Sequence, residues 1–246
     1  KRSDCEFECK DICGAVVALM LMAHVRKRLI DKGVRDKSTL PPMGVTLPLA
    51  AAATIADCTS IAYPINRGFV HAGVKRMNAG SDICWAAFKD MQLQKNEPIT
   101  SQTIGFKLAP IINAASRMGK DALLGVKFFL SETDNEAKRH LIGLKEFNED
   151  RKIAQRSLFN AADIVALQQV EREDRLGLCI YQPNGNHGIH GIVAASVAQK
   201  YGRPTIILAP KSNKKTKVKF DIIEKENLNV DIFSKLATFN EVKVNK

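Results

Sequence analysis

Residues 184–208 read NGNHGIHGIVAASVAQKYGRPTIIL, and this stretch decides the fold class. It follows an apolar run, LGLCIYQ at 176–182, whose composition suits a strand. From residue 188 the period changes. Ile189, Ile192, Val193 and Val197 fall on one face of a helix through 188–201. Gly202, Arg203 and Pro204 interrupt it, and TIILA at 205–209 reads as a second strand. Strand, turn, helix and strand within about 35 residues form a βαβ unit, which predicts two parallel strands in an α/β domain.

Gly185, Gly188 and Gly191 straddle the helix start, where unpaired N–H groups and the positive end of the helix dipole favour an anion. His187 and His190 stand among them. A phosphate or nucleic-acid contact fits this pattern, and so does a plain structural turn. Zinc fits less well, because no further His or carboxylate stands close by. A dinucleotide site is poorly supported, since no GxGxxG with a later acidic residue is present.

Upstream lies the longest helical pattern. Thr133 and Glu136 are spaced as a capping box. Ala137, Leu141, Leu144, Phe147, Ala154, Leu158, Ala161 and Val165 then recur at spacings of three, four or seven. A helix reaching residue 170 is roughly ten turns long, the length of a connector between two domains. Before it, residues 12–32 form an apolar helix with a basic last turn, ended by Gly33. LAAAATIADCTSI predicts a second buried helix running to Tyr63-Pro64, and NRGFVHAGVKRMNAG a short one closed by Gly80. LAPIINAASRMG, at 108–119, reads as a loop carrying one arginine, Arg117.

With 246 residues, 45% of them hydrophobic, the chain can pack one large core or two ordinary ones. Its 37 basic and 26 acidic residues give a net charge of +11, which favours a polyanionic partner over a neutral one. No apolar run reaches the ~18 residues needed to span a bilayer, and no signal-peptide pattern is present. A cytoplasmic protein without a membrane partner is the expectation. The spacing of Cys5, Cys9 and Cys13 would line one face of a helix, but no CxxC pair accompanies them. Reduced thiols are therefore expected rather than zinc.

Two residues draw attention as chemistry. Asp57, ending TIAD, is either a hard-metal ligand or a plain helix-terminal or turn aspartate. Arg117 has small neighbours that admit a ligand and a guanidinium that suits phosphate, though solvated loop arginines are common. No Ser-His-Asp order, HExxH or P-loop occurs. The residues alone thus reach a basic, two-part α/β protein with an anion site.

Five segments carry a resemblance: KDICGAVVA, TIADCTSIAYPINRGFV, LAPIINAASRMG, FNEDRK and HGIHGIVAASVAQKYGRPTIIL, in that order. Together they cover about residues 10–210, and the chain resembles the RecJ-type single-strand-specific exonucleases of the DHH phosphoesterase superfamily. The resemblance implies an α/β fold. Residues 1–132 would be the C-terminal part of a DHH catalytic domain, mainly helical. Residues 133–170 would be a long connector helix, and 171–246 an incomplete DHH-associated domain with a basic tail, KSNKKTKVK.

By the same resemblance, Asp57 matches the late metal-ligand aspartate of a TVAD-like segment, and Asn66-Arg67 matches the NR that follows it. Arg117 matches the arginine of an NAAGR-like motif near the active-site cleft. Asp57 and Arg117 are the expected catalytic residues. Asn186, His187, Gly188, His190, Gly191 and Arg203 are expected to meet the strand or its phosphates. The implied activity is 5′-to-3′ hydrolysis of single-stranded DNA in repair or recombination, with RNA left open as a partner. It uses two Mn²⁺ or Mg²⁺ ions, with basic residues gripping the strand.

This chain also departs from the family. The DxDG motif, the second Asp motif and the DHH triplet precede KDICGA-like sequence in the family and do not occur here. Most metal ligands are therefore expected upstream of Lys1, and the chain alone is expected to be inactive. Asn186 stands where the family often has His, Ser196 stands where an arginine is usual, and the SGRS and GGH motifs are missing. These departures suit a second reading, a non-catalytic nucleic-acid-binding or replication-scaffold relative that kept the fold. A third, ranked lower, is a phosphoesterase acting on cyclic dinucleotides or short oligonucleotides.

Overall fold

The structure is a computed structural model that describes residues 4–80, 82–172 and 175–209. The expected basic tail, KSNKKTKVK, lies outside the described residues. The chain is mostly helical with one small parallel sheet, and it divides into two compact units, Lys1–Asp150 and Arg151–Lys246.

In the first unit, α1 (Gly14–Asp31) starts after the extended Cys13. Val16 and Leu19 bury against Ala50 of α2 (Leu47–Ala56). Residues 5–13 are not helical, so the condition under which Cys5, Cys9 and Cys13 would share a helix face is not met. The segment's polar groups bond elsewhere instead, with the Asp11 carbonyl accepting from Asn66 Nδ2 at 2.6 Å. All six cysteines are free thiols.

The run Ala50–Ala53 gives α2 a thin face, and α3 (Pro64–Asn78) packs onto it through Gly73. A Cβ at Gly73 would stand 2.4 Å from Ala51 Cβ and 2.5 Å from the Leu47 carbonyl oxygen. Helix α2 stops at Ala56, seven residues before the Tyr63-Pro64 boundary expected from the sequence. Pro64 instead opens α3, where its missing N–H costs nothing.

The stop is a Schellman loop. The Cys58 amide donates to the Ile55 carbonyl at 3.0 Å and the Thr59 amide to the Thr54 carbonyl at 3.2 Å. Gly33 and Gly119, both with φ of 66°, occupy the equivalent position after α1 and α6 (Ala109–Arg117). Here Cys58 takes the left-handed conformation, at φ 52°, which costs a residue with a Cβ about 1 kcal/mol. Cys58→Gly is expected to raise the unfolding free energy by roughly that amount, seen as a higher urea midpoint at constant slope. A lower midpoint would contradict the strain.

Residues 108–119 are not the predicted loop. Helix α5 (Ser101–Thr103) runs through a π-helical turn, Ile104–Leu108, into α6. Pro110 falls directly after the π-helical turn, at the junction with α6 where the regular i→i−4 ladder is already interrupted, and Gly119 lies just past the end of α6. The residues that looked like loop punctuation mark the two ends of a helix. Trp85 and Phe88 of α4 (Ile83–Gln92), Phe128 of α7 (Leu123–Phe129), and Ala137, Leu141 and Leu144 of the long helix that follows complete this core.

Helix α8 (Asp134–Glu171) is one unbroken element of 38 residues, as its periodicity predicts. The division between the units falls within it. The Glu136 amide donates to Thr133 Oγ1, and its carboxylate accepts from the Glu132 amide.

In the second unit, Leu158, Ala162 and Ala166 of α8 pack with β1 (Leu178–Tyr181) and α9 (His187–Tyr201). Strand β2 (Thr205–Leu208) pairs with β1 in parallel, Leu178 opposite Thr205 and Tyr181 opposite Leu208. The βαβ unit expected from the switch in period is therefore present. Gln169 bonds the backbone of β1, donating to the Cys179 carbonyl at 2.7 Å and accepting from its amide at 3.0 Å.

Candidate functional site

The candidate residues lie in both units. In the first, Asp57 is the C-cap of α2 and is exposed. Its placement is electrostatically unfavourable, because a carboxylate at a helix C-terminus adds to the negative end of the dipole, at about 0.3–1 kcal/mol. No described residue hydrogen-bonds or ion-pairs with that carboxylate. Such a concentration of negative charge suits a cation.

Asp57 borders a cavity of about 330 Å³, walled by apolar residues including Ala52, Ile104, Leu108 and Phe129. Its other polar lining residue is Asn113 of α6. Arg117 stands one turn further along α6 from Asn113, half-buried, on the same side of the helix. The cavity thus joins Asp57 to the NAASR helix through Asn113. Neither Asn113 as a lining residue nor the π-helical wall was legible in the sequence. A helical reading of 109–117 would have found the first.

Asn66 and Arg67 brace the loop after Asp57. Asn66 is fully buried, and its Nδ2 donates to the Ser60 carbonyl at 2.9 Å as well as to Asp11. Arg67 Nη1 donates to the carbonyls of Ile61 and Ala62 at 2.8 and 2.9 Å. Both side chains act on backbone here.

In the second unit, Asn186 caps α9, and its side chain accepts from the Gly188 amide at 2.9 Å. That bond occupies one of the helix-start donors. His187 is exposed, whereas His190 is buried at 9% exposure. Their ring centroids are 5.5 Å apart. His190 Nε2 has no hydrogen-bond partner among the described residues, and a Cβ on Gly185 would lie 2.3 Å from it. The turn at Gly185 thus lies close against the imidazole, and a side chain there would require the His190 ring to shift. A Cβ at Gly191 would meet nothing within 4 Å. Arg203 donates through Nη1 to the Arg175 carbonyl, tying the approach to β2 to that of β1.

Burial pushes the His190 imidazole below its ordinary pKa, and the neighbouring His187 pushes it the same way. The folded state therefore binds a proton less readily than the unfolded chain. The stability this contributes is present above the unfolded pKa of about 6.5 and is lost as pH falls through the lower folded value. His190→Phe is expected to flatten the acid limb of the second unit's stability profile. An unchanged limb, followed by denaturant midpoints at pH 7 and 5, would show that His190 does not titrate with unfolding.

Among the described residues, no group of three or more His, Cys, Asp or Glu side chains is arranged to hold a metal ion. A two-metal centre needs several oxygen ligands. Asp57 alone does not make such a centre, so the described residues do not fit one without further ligands.

No protein-family model matches the chain. Curated relatives do. The single-stranded-DNA-specific exonuclease RecJ of Salmonella typhimurium is 31% identical over 215 residues, covering 84% of this chain and 36% of the relative. RecJ of Escherichia coli matches at the same identity and coverage. RecJ of Thermus thermophilus is 28% identical over 196 residues, covering 80% of this chain and 27% of the relative. The chain therefore spans about a third of the length of these relatives. Among solved structures, RecJ from Thermus thermophilus in complex with Mg²⁺ superposes with a TM-score of 0.67 at 27% identity, over 83% of this chain and 30% of that one. An exonuclease RecJ bound to manganese gives 0.64 at 26%, over 83% and 48%. In sequence and in fold, this chain is RecJ-like.

Proposed function

We propose that the chain is the RecJ-like portion of a metal-dependent exonuclease that hydrolyses phosphodiester bonds of single-stranded DNA. The observation that carries this is the shared cavity. It joins the end of the TIAD helix to the NAASR helix, in a chain that superposes over 83% of its length on Mg²⁺- and Mn²⁺-bound RecJ. Asp57 is proposed as one carboxylate of the metal centre and Arg117 as a phosphate clasp. The open side of the α9 N-terminus, with His187 and Gly191, is proposed to meet backbone phosphates, with Asn186 and Gly188 shaping it. His190 and Arg203 support that corner from within. The net charge of +11 suits a polyanion held through counterion release. No described helix is long and apolar enough to cross a membrane, and DNA as substrate suits a cytoplasmic setting.

The described residues do not assemble the metal centre, so no hydrolytic step is attributed to them. In a longer polypeptide that supplies the remaining ligands, the bound ions would activate water and stabilise the leaving oxygen. The test is nucleotide release by the full-length protein from a single strand, a duplex and an RNA strand, with Mn²⁺, with Mg²⁺ and with chelator. Release from single-stranded DNA that chelator abolishes is the expected result. Tight strand binding without release would instead establish the non-catalytic scaffold. Preferential cleavage of dinucleotides would point to a small-substrate phosphoesterase.

A further inference from the structure

We infer that Asp11 is a positioning residue for Asp57, acting through the loop that follows it; this rests on the proposed function. Asp11 lies 49 residues from Ser60 in sequence, yet its Oδ2 accepts from the Ser60 amide at 2.5 Å. Ser60 is the third residue after Asp57. The contact is a carboxylate on a backbone N–H, and such charge-assisted bonds are stronger than neutral ones. The Asp11 carbonyl meanwhile accepts from Asn66 Nδ2. One residue therefore holds the loop directly and also anchors the side chain that bonds the Ser60 carbonyl.

The loop needs such anchoring. It leaves α2 through the left-handed Cys58, a conformation that persists only where surrounding contacts over-determine it. Thr59 Oγ1 donates to the Thr54 carbonyl at 2.9 Å, fixing the first residues after the cap. Beyond that point Ile61, Ala62 and Tyr63 are exposed, and none of them joins a buried hydrophobic cluster. Hydrophobic packing therefore constrains this segment weakly, and polar contacts supply much of what holds it. Cys13 Sγ lies 3.5 Å from Thr54 Oγ1 in the buried seam, so the start of α1 is fixed to α2 beside the same corner. This arrangement restricts the exit direction of the chain at Asp57, and with it the carboxylate. A displacement of about 1 Å at a catalytic group can cost on the order of a hundredfold in rate.

The experiment uses the full-length protein, with Asp11→Ala, which removes the acceptor, and Asp11→Asn, whose amide oxygen can still take the Ser60 N–H. Asp11→Ala is expected to lower kcat by about tenfold or more with KM for a single-stranded oligonucleotide nearly unchanged. It should also raise the Mn²⁺ concentration needed for half-maximal rate, and Asp11→Asn should restore most of kcat. Hydrogen exchange is read on the same samples. Amides of residues 58–62 should exchange at least about tenfold faster in the alanine variant while α2 and α3 keep their protection. Wild-type kcat in the alanine variant, or no rescue by asparagine, overturns the assignment. Faster exchange throughout α1, α2 and α3 also overturns it, because Asp11 would then support the fold in general. Should the wild type release no nucleotide, the proposed function falls and takes the effect of Asp11 on the rate with it. Exchange in residues 58–62 would then still decide whether Asp11 holds the loop.

Discussion

Asp57→Asn in the full-length protein is expected to reduce nucleotide release by about a thousandfold or more, a barrier increase of roughly 4 kcal/mol, without lowering stability. The combination is diagnostic. The carboxylate is exposed and no described residue bonds it, so replacing one oxygen by nitrogen breaks no structural contact. Neutralising a negative charge at the C-terminus of α2 also relieves its repulsion by the dipole, about 0.3–1 kcal/mol at such a site. A variant that is inactive yet as stable as wild type, or slightly more so, would show that the charge is kept for chemistry against the preference of the helix. Activity within a fewfold of wild type would remove Asp57 from the centre. Arg117→Lys is a natural companion, since the lysine keeps the charge but loses the fork that matches phosphate.

The largest effect on stability belongs to Gly73→Val, expected to cost at least about 3 kcal/mol and to leave much of the protein unfolded. The new Cβ would stand 2.5 Å from the Leu47 carbonyl oxygen and 2.4 Å from Ala51 Cβ. The first belongs to the backbone and the second is attached directly to it, so neither can swing aside. Helices α2 and α3 would have to separate, carrying Asp57 and Asn66 apart. Gly68, exposed on the same helix, is the control. A Cβ there meets nothing within 4 Å, so Gly68→Ala should stabilise α3 by up to about 1 kcal/mol. Thermal or denaturant midpoints for the two variants should move in opposite directions. A Gly73→Val protein with a wild-type midpoint would mean that the two helices do not meet closely.

The pair of substitutions also shows what could be read from the sequence. The βαβ unit and α8 were legible because each rests on a long, regular hydrophobic period, and Asp57 was legible as the carboxylate closing the small-residue segment TIAD, though not as the end of its helix. Helix α6 was missed because Pro110 and Gly119 were weighed as loop residues without regard to their positions near its ends. The stop at Cys58 was missed because a cysteine in the left-handed region has no local signature, unlike the glycines at the equivalent positions after α1 and α6. His187 and His190 look equivalent in sequence. Their place on α9 and the close approach of the Gly185 turn to one of them separate an exposed imidazole from a buried one. The contact between Asp11 and Ser60 belongs to no period or motif, because it is made by two elements meeting in space.

The strained cap has a chemical consequence as well. Cys58 is exposed, so a thiol accessible to solvent adjoins the candidate metal carboxylate in sequence. In a background where the other exposed cysteine, Cys5, is replaced by serine, a nitroxide or fluorophore attached to Cys58 would give a spectroscopic reading of cation arrival at Asp57 without any turnover. The same accessibility exposes the thiol to oxidants, and a sulfinate formed there would set a permanent second anion next to the first. A backbone detail at the end of one short helix thus makes this corner both open to labelling and open to oxidative damage.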